Sequence, residues 1–353
     1  MVLKERCDFF GRSSKKVQSM KQSPIALRND WFTKLTGFSE RSPNEVRENI
    51  TIRDARLSSK INDQSFQFGC FDIASLRELR DRVAKVDNGA GKFQVAELVG
   101  EAVVFQVASQ FNLLEMVSPS VTPEQGIGIY ENDPTQGPAC AIACGAGTIY
   151  RNYFVPLDGQ IGQTANKQVD CLAEIGEALG NAGGRLWKMK NGYALPTAEG
   201  LKEIDSKLGA MSDAELDSLR SKLKIGVQWD TQVTISNSEK NDEHLVTQAY
   251  CSAVPVAYSG LSSRLWERFA RLILEAAYEA TLAAAVLNAA KSGKKSVYLT
   301  LLGGGAFGND QELILGAIRR AAKLYNKFDL DVKIVSFRHS NPAIRKLCEE
   351  ILG

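Results

Sequence analysis

The residues best suited to chemistry form a glycine-rich stretch, TLLGGGAFGND, which runs from Thr300 to Asp310. It follows the apolar segment SVYLT and precedes a segment with helical periodicity, so this loop would lead into a helix. Glycines at such a place let backbone amides approach an anion, and the positive end of the helix dipole favours phosphate. Asn309 or Asp310 would cap the helix. The stretch therefore predicts either a phosphate-binding loop or a helix-entry turn without a ligand. Its amino-acid sequence alone does not distinguish between these two alternatives.

Two better-known phosphate loops do not fit this stretch. Its glycines match the letters of a dinucleotide fingerprint, but that motif opens a doubly wound domain, and the strand after it ends in an acidic residue. Here the next apolar segment, VKIVSF, ends at Phe337 close to the end of the chain. A mononucleotide P-loop needs Lys and then Ser or Thr after its last glycine, where this chain has Asn309 and Asp310.

Composition sets limits on the class of protein. The chain has 353 residues, of which 44% are hydrophobic and 24% charged, and its formal net charge is +2. These values are typical of a soluble globular protein without a bulk attraction for nucleic acid. No run of 18 apolar residues predicts a membrane span, and the basic N-terminus lacks the apolar core of a secretory signal.

Cysteine and histidine usage argues against a metal site. The seven cysteines are scattered, the two histidines are far apart, and no ligand spacing for zinc appears. Reduced thiols in a reducing compartment are therefore expected, which predicts a cytoplasmic location, or the host cytosol for a secreted effector. We expect no metal, no cofactor, and neither nucleic acid nor membrane as a partner.

The elements that must position the loop follow from periodicity. Residues 1–60 are polar and weakly periodic, which predicts a polar N-terminal arm before a domain over residues 61–353. SLRELRDRVAKV predicts a helix with Leu76, Leu79 and Val83 on one face, and AVVFQVA predicts a buried strand. The stretch from residue 117 to 154 is rich in glycine and proline, which predicts a functional loop region rather than a long helix.

The second half of the chain has clearer patterns. A hairpin turns at Asn191-Gly192, a capping box opens at Ser212, and KIGVQWDTQVTI alternates as a strand does. SRLWERFARLILEAAYEATLAAAVLNAA is the clearest helix, and QELILGAIRRAAKLYNKF predicts another, with Leu324 among its inward residues. The last third is thus strand, helix, strand, loop, helix and strand, which predicts a layered α/β domain with a largely parallel sheet.

This order of elements resembles the macrodomain, an ADP-ribose-binding α/β fold, and more specifically the branch that includes poly(ADP-ribose) glycohydrolases. AVVFQVASQFNLLEM resembles the early strand and its asparagine-containing ligand turn, and TLLGGGAFGND resembles the diphosphate loop with its aromatic residue. The resemblance covers roughly residues 65–340, with residues 160–222 as a helical and hairpin elaboration. It implies a macrodomain-like, three-layer α/β fold with a mixed, largely parallel sheet.

Within that superfamily, the Gly/Pro-rich stretch, WDTQVT and VTQAYCSAVPVAYS look most like the MavL group of Legionella effectors, which remove ADP-ribose from modified ubiquitin. The chain has YENDPTQG instead of the Gln-Glu-Glu motif of the glycohydrolases, which argues against cleavage of poly(ADP-ribose) chains. The resemblance implies a hydrolase that removes ADP-ribose from a protein side chain, with ubiquitin as a candidate substrate. A non-catalytic ADP-ribose-binding reader and an interaction protein without a nucleotide ligand are the alternatives.

Hydrolysis at the ribose C1″ develops oxocarbenium-like charge, which a nearby carboxylate stabilises. The candidate catalytic carboxylates are Asp230, Asp242, Asp133 and Glu131. Asp230 leads because it is the one charge within an alternating strand, where burial without a partner would be costly. The alternatives are the outward face of the strand for Asp230, a solvated loop for Asp242, and loop caps for the other two.

The candidate ADP-ribose-binding residues lie after the early strand and in the glycine-rich loop. Asn112 would bind the distal ribose, or else form a turn at the strand end. The loop residues are Gly303, Gly304, Gly305, Ala306, Phe307 and Gly308. Phe307 would pack on the ribose or diphosphate, or else anchor the loop in the core. For Asp72 the sequence favours the role of a helix N-cap.

Overall fold

The computed structural model describes residues 30–87, 92–99, 106–235 and 244–352. The helices within these ranges are α1 (Trp31–Thr36), α2 (Pro43–Asn49), α3 (Leu76–Val83), α4 (Gln136–Ala143), α5 (Gly145–Tyr153), α6 (Ala173–Leu179), α7 (Ala198–Ala210), α8 (Asp213–Arg220), α9 (Ser263–Ser292), α10 (Gln311–Tyr325) and α11 (Pro342–Leu352). Short 3₁₀ helices cover Pro123–Gln125, Gly128–Asn132, Ala182–Gly184 and Val256–Tyr258.

The strands within the same ranges are β1 (Ile50–Arg53), β2 (Arg56–Ser59), β3 (Ser65–Gln67), β4 (Cys70–Ser75), β5 (Gln94–Val99), β6 (Gln106–Ala108), β7 (Pro156–Leu157), β8 (Gln160–Ile161), β9 (Trp187–Lys190), β10 (Tyr193–Pro196), β11 (Lys224–Gln232), β12 (Leu245–Cys251), β13 (Ser296–Leu299) and β14 (Asp331–Ser336).

Two neighbouring sheets form the centre of the fold. The first has the strand order β4-β11-β12-β6, in which β11 is antiparallel to both neighbours and β12 is parallel to β6. The second, β13-β14-β5, is parallel throughout. Because β13 lies beside β6, the parallel parts of the two sheets meet. The arrangement is thus mixed and largely parallel, as the sequence predicts.

Helices cover both faces of this layer. Successive side chains of a strand point to opposite faces, so Val227 and Gln228 of β11 face different helices. Val227 packs in the large apolar core that α9 fills. Gln228 faces α5, where its Oε1 accepts a hydrogen bond from Arg151 Nη1 at 3.4 Å. Helix, sheet and helix therefore form three layers, and the predicted three-layer α/β class is confirmed.

The central helix of the core is α9. An 18-residue window of it has a mean hydropathy of 1.3, so by length and composition alone it could cross a membrane. However, 83% of that window is buried inside the protein. A helix that is apolar on all sides and enclosed by neighbours is typical of the centre of a large core. α3, α7, α8 and α10 all pack against it.

Ion pairs join α9 to its neighbours. Glu279 of α9 is buried, with its side chain 4% exposed, and accepts hydrogen bonds from Arg80 Nε of α3 and Arg320 Nη1 of α10, both at 2.5 Å. The same two arginines contact Asp217 of α8 at 2.8 and 3.1 Å. Removing one partner of a buried ion pair leaves an uncompensated charge, which is far more costly than losing a surface pair.

Several local predictions are confirmed. The helix α3 buries the predicted face of Leu76, Leu79 and Val83. Asn191 and Gly192 both have positive φ, 47° and 79°, as a type I′ hairpin turn requires. Ser212 and Glu215 form the predicted capping box at the start of α8. β6 confirms the C-terminal part of the strand predicted over residues 102–108, and the rest of it lies outside the described residues.

The predicted polar arm does not hold for residues 30–60. They form α1, α2, β1 and β2, and they pack around a second apolar cluster that includes Phe32, Val46 and Leu57. Their apolar residues are too sparse to produce a visible period, because each element is only 4–7 residues long. Residues 1–29 of the predicted arm lie outside the described residues.

Three further predictions are wrong in detail. The Gly/Pro-rich stretch contains two helices, α4 and α5, whose glycines allow close packing against neighbouring elements. Asp72 lies in β4 and pairs with Arg82, and Ser75 is the N-cap of α3. Leu324 of α10 is 46% exposed rather than directed inward.

We expect Glu279→Ala to lower the free energy of unfolding by about 1.5–3 kcal/mol, because it removes the buried carboxylate that accepts charged hydrogen bonds from two partly buried guanidinium groups, which keep Asp217 as a partner. Urea unfolding at neutral pH measures this change. Glu267→Ala is the matched control, since Glu267 lies on the exposed side of α9 and pairs only with Arg271 in the described structure. That variant should cost less than about 1 kcal/mol. Equal losses in the two variants would contradict a structural role for the buried pair.

Candidate functional site

A cleft opens at the carboxyl ends of β6 and β13. The space that it encloses is about 210 Å³, and it opens to solvent. Ligands of open α/β sheets commonly bind at the carboxyl ends of strands. Its walls include the turn after β6, the start of α4 and the glycine-rich loop after β13. Its lining residues include Ser109, Gln110, Glu115, Met116, Asp133, Gln136, Gly137, Tyr193, Tyr258, Gly303, Gly305, Ala306 and Phe307.

The glycine-rich loop joins β13 to α10 as the sequence predicts. Gly303 and Gly308 have φ of 72° and 70°, a left-handed conformation that other residues rarely adopt. Asn309 closes the loop, because its backbone N–H donates to Gly303 O at 2.9 Å and its Nδ2 donates to Val254 O at 2.9 Å. Asp310 caps α10 by accepting from Glu312 N at 2.7 Å. Of the two cap candidates, Asp310 is therefore the cap.

The middle of this loop faces the cleft with free backbone donors. The N–H groups of Gly305, Ala306 and Phe307 make no hydrogen bond to any part of the chain that the structure describes. A Cβ at Gly305 would meet no atom within 4 Å, so this residue borders open space. Consecutive unpaired amides before a helix form a site for an anion such as phosphate.

Two of the predicted loop residues point elsewhere. A Cβ at Gly304 would contact Ile314 Cδ1 at 3.1 Å, and one at Gly308 would contact Ala257 Cβ at 3.1 Å. Neither residue lines the cleft. Their role is to let the loop pack closely on its own scaffold, whereas Gly303, Gly305, Ala306 and Phe307 line the cleft.

Three aromatic rings form one wall of the cleft. Phe307 lies 5.4 Å from Tyr193 and 5.6 Å from Tyr258, and the two tyrosine rings are 5.1 Å apart, measured between ring centroids. Tyr193 belongs to β10, and its hydroxyl donates to Met116 O at 2.7 Å. The hairpin within the predicted elaboration therefore takes part in the cleft wall.

Glu115 is the most unusual side chain of the cleft. It is 3% exposed, and neither carboxyl oxygen has a hydrogen-bond partner among the described residues. Burial raises the pKa of Glu115 to about 8, and the nearby Arg151 guanidinium opposes that rise. Glu115 is therefore mostly protonated at neutral pH, so it can donate a proton to a bound molecule.

The turn after β6 directs Glu115 into this position. Leu113 has a φ of 65°, and its N–H donates to Gln110 O at 2.9 Å. The backbone N–H of Glu115 donates to the Tyr130 hydroxyl at 3.0 Å. Gly137 leaves room for the side chain, because a Cβ there would lie 2.1 Å from Ala108 O and 3.0 Å from Glu115 Cγ.

Asp133 and Glu131, although two residues apart, have different surroundings. Asp133 lines the cleft, and its Oδ1 accepts a hydrogen bond from Thr135 N at 2.9 Å, next to the start of α4. Glu131 is exposed, does not line the cleft, and accepts from Trp31 N at 3.2 Å, where it helps to cap α1. The structure thus brings Asp133 together with the glycine-rich loop but leaves Glu131 outside.

Asn112 is a buried structural residue rather than a cleft residue. Its Oδ1 accepts from Leu114 N at 3.1 Å, and its Nδ2 donates to Gln168 Oε1 at 2.8 Å. Gln168 in turn donates to Asn191 Oδ1 at 2.7 Å, and Asn191 Nδ2 donates to Pro119 O at 2.7 Å. This chain of amides ties the hairpin to the turn that carries Glu115. The turn predicted as the alternative for Asn112 is the one observed.

Asp230 lies away from the cleft. It occupies a bulge in β11 with a φ of 51°, and its Oδ2 accepts from Lys291 Nζ at 2.6 Å. The bulge interrupts the strand alternation, so a charged side chain here finds a partner at the end of α9. The position of Asp230 does not support its place as the leading catalytic candidate. Asp242 lies outside the described residues.

The sequence contained a signal for Glu115 that pattern analysis missed. Glu115 is the one charged residue in the apolar run FNLLEMV. A lone carboxylate in such a run is a sign of a buried acid. Its role as a cleft residue becomes visible only when Gly137 and the glycine-rich loop are seen beside it.

Comparisons with known proteins give distant similarity only. No protein-family model and no curated protein matches the chain. Among solved structures, it is similar to poly(ADP-ribose) glycohydrolase from Thermomonospora curvata, with 12% identity, 88% of this chain and 97% of that chain covered, and a TM-score of 0.42.

Two ligand complexes of such enzymes are also similar. The glycohydrolase from Deinococcus radiodurans in complex with ADP-ribose has 10% identity, covers 78% of this chain and 91% of that chain, and has a TM-score of 0.40. The Thermomonospora curvata enzyme bound to the inhibitor ADP-HPD has 12% identity, covers 86% and 95%, and has a TM-score of 0.38. Sequence identity and structural similarity this low establish no function for this chain.

The raised pKa of Glu115 predicts a pH dependence of stability. In the unfolded chain this carboxyl has a pKa near the ordinary value of 4.5, whereas in the folded protein its pKa is about 8. The folded state therefore binds the proton more tightly, and the associated stability is complete below about pH 4.5 and lost as the pH rises through about 8. The loss is on the order of 5 kcal/mol, because the two pKa values differ by about 3.5 units and each unit corresponds to about 1.4 kcal/mol.

Glu115→Gln should remove this dependence, so its free energy of unfolding should fall less than that of the wild type between pH 5 and pH 9. Urea unfolding at several pH values gives both curves. Glu267→Gln, which removes an exposed carboxylate, should follow the wild type. Parallel curves for Glu115→Gln and wild type would mean that Glu115 titrates as an ordinary exposed carboxyl.

Proposed function

We propose that this protein is an ADP-ribosyl hydrolase that removes ADP-ribose from a modified protein side chain. The observation that carries the proposal is that Glu115, a buried carboxyl without a partner, lines the same cleft as the free amides of the glycine-rich loop. A proton donor and an anion site that share one cleft fit the hydrolysis of a phosphate-bearing glycoside.

The cleft has a suitable surface for each part of ADP-ribose. The amides of Gly305, Ala306 and Phe307 would bind the diphosphate, which needs several hydrogen-bond donors. The rings of Tyr193, Tyr258 and Phe307 would pack against the flat or apolar faces of the nucleoside. The distal ribose would then lie toward Glu115 and Asp133, at the other wall.

The reaction follows from the two carboxyl groups. As the bond from C1″ to the side-chain atom breaks, its electron pair goes to that atom, and Glu115 supplies the proton that the leaving atom takes up. Positive charge develops at C1″, and the Asp133 carboxylate stabilises it. Water then adds to C1″ and gives one proton to Glu115, which restores the acid. The products are free ADP-ribose and the unmodified side chain.

We propose ADP-ribosylated ubiquitin as the first protein substrate to test. Support for this choice comes from the sequence, in which WDTQVT and VTQAYCSAVPVAYS resemble the effector group that acts on modified ubiquitin. YENDPTQG in place of a Gln-Glu-Glu motif favours removal of single ADP-ribose groups over cleavage of the polymer. Substrates should therefore include other ADP-ribosylated proteins alongside ubiquitin.

Glu115→Gln should lower kcat by about 10²- to 10⁴-fold, the usual contribution of a general acid, because the amide cannot donate a proton at comparable acidity. Release of ADP-ribose from modified ubiquitin measures the rate. The affinity for free ADP-ribose, measured by calorimetry, should change little. Asp230→Asn is the comparison variant that distinguishes between the two candidate carboxyl groups. Its kcat should stay within about twofold of wild type, because Asp230 pairs with Lys291 outside the cleft.

Two other outcomes would separate the rival functions. Binding of ADP-ribose without release from ubiquitin or any other modified protein would leave the reader function. No heat at millimolar ADP-ribose would exclude hydrolase and reader together. A large loss of activity in Asp230→Asn but not in Glu115→Gln would make Asp230, rather than Glu115, the leading candidate for the catalytic carboxyl group.

Gly305→Val should abolish ADP-ribose binding while the fold persists. The new side chain would enter the space in front of the free amides, and no described atom lies within 4 Å of a Cβ at this position. Calorimetry measures the affinity, and circular dichroism measures the fold. Gly316→Val is the matched control, since Gly316 lies in α10, away from the cleft, and is equally uncrowded. Unchanged affinity in Gly305→Val would contradict a diphosphate-binding role of the loop.

A further inference from the structure

Beneath the cleft lies a buried cation, Arg151 of α5, whose side chain is fully buried. Its guanidinium carbon lies 3.5 Å from the centroid of the Tyr250 ring, and Nη2 donates to Thr148 Oγ1 at 3.0 Å. Nη1 donates to Gln228 Oε1 at 3.4 Å. All of these contacts are with uncharged groups, and none of the described carboxylates forms an ion pair with Arg151. A guanidinium group stays charged inside a protein, so this charge needs compensation.

Arg151 also holds the turn that carries Glu115. Its Nε donates to Leu113 O at 3.2 Å. Leu113 is in the left-handed region with a φ of 65°, a conformation that is unfavourable for leucine and needs support from its surroundings. Because Leu113 precedes Glu115 by two residues, this hydrogen bond fixes the part of the backbone that points Glu115 into the cleft.

Among the described residues, Arg151 is the cation whose charge acts on Glu115. The neighbouring titratable groups are Tyr130, Tyr250 and Cys144, and burial raises the pKa of each of them, which keeps all three uncharged at neutral pH. Asp133, which lines the same cleft, adds only negative charge. Among the described residues, the ionised form of Glu115 would therefore have Arg151 as its positive neighbour, and no other described anion contacts Arg151.

We propose that Arg151 is a positioning residue for the reaction, which holds the Leu113 turn in place and stabilises the Glu115 carboxylate that forms when the proton leaves. This inference rests on the proposed role of Glu115 as the proton donor. In the resting state Arg151 is an unpaired buried charge and Glu115 is neutral. When Glu115 transfers its proton to the leaving atom, the two charges balance, and the proton from the attacking water restores the resting state.

The test is a titration of Glu115 in the intact protein without substrate. Carbon-13 NMR of glutamate labelled at the side-chain carboxyl reports its pKa, and Glu115→Gln assigns the signal. Arg151→Met should raise the pKa of Glu115 by one unit or more, which is a tenfold weaker acid. Gln228→Glu should do the same while keeping Arg151, because the new carboxylate takes the place of the amide oxygen that Arg151 already contacts.

Thr148→Val is the matched control. It removes a hydrogen bond to Arg151 but changes no charge, so the pKa of Glu115 should stay within about 0.3 units of wild type, well below the full-unit shift that loss of the charge produces. Gln228→Glu covers the case in which Arg151→Met does not fold. A folded Arg151→Met or Gln228→Glu variant with an unchanged Glu115 pKa would overturn the charge coupling, as would an equal shift in Thr148→Val.

Kinetic measurements on the variants distinguish a positioning role of Arg151 from a general loss of structure. In Gln228→Glu the basic limb of the pH profile of kcat should move to higher pH together with the Glu115 pKa, while KM stays within about threefold. Arg151→Lys keeps the positive charge but loses the fixed hydrogen-bond geometry at Leu113 O. In this variant kcat should fall about tenfold or more, while the basic limb of its pH profile should move little. A KM effect alone would overturn the positioning role. A wild-type protein that hydrolyses no substrate would refute the proposed function, and the titration would still decide the charge coupling.

Discussion

A carboxyl group that is removed from water and given no hydrogen-bond partner keeps its proton at neutral pH, and Glu115 is in this condition. The surrounding structure is arranged to allow it. Gly137 provides the space, the Tyr130 hydroxyl receives the backbone N–H, and Arg151 fixes the Leu113 turn from below. Without these contacts the side chain would turn to solvent and become an ordinary carboxylate. The acid of the cleft is therefore a product of its packing rather than of its residue type.

The larger scaffold places Glu115 beside the glycine-rich loop, the proposed anion site. β6 leads into the Glu115 turn and β13 leads into the glycine-rich loop, and the two strands lie side by side, so both loops open on the same edge of the layer. α9 fills the core below them and is joined to its neighbours through the buried Glu279. The hairpin of β9 and β10 closes one wall through Tyr193. The residues proposed for binding and for chemistry lie together because distant segments of the chain end at one place.

The fold was predictable where a pattern is local and long enough to repeat. The helices α3, α9 and α10, the Asn191-Gly192 turn and the Ser212 capping box all depend on residues within a few positions of each other. The folded segment over residues 30–60 and the helices α4 and α5 were not predictable, because short elements show no period and their glycines, such as Gly147, are there to pack against a partner. The bulge at Asp230 was equally hidden, since it arises from how β11 pairs with β12.

The glycine-rich loop, its place between a strand and a helix, and with it the proposed anion site could be predicted from the sequence, because glycine conformation and helix entry are local properties. The sequence also supplied Asp133 as a carboxylate near that site. Which carboxyl keeps its proton at neutral pH could be seen only from the packing of the folded chain. The pKa of a carboxyl depends on burial and on nearby charge, and for Glu115 both come from residues more than twenty positions away, Gly137 and Arg151. Tertiary structure also explains why Asp230 lies outside the cleft. The bulge in β11 places its carboxylate next to Lys291, which is its ion-pair partner.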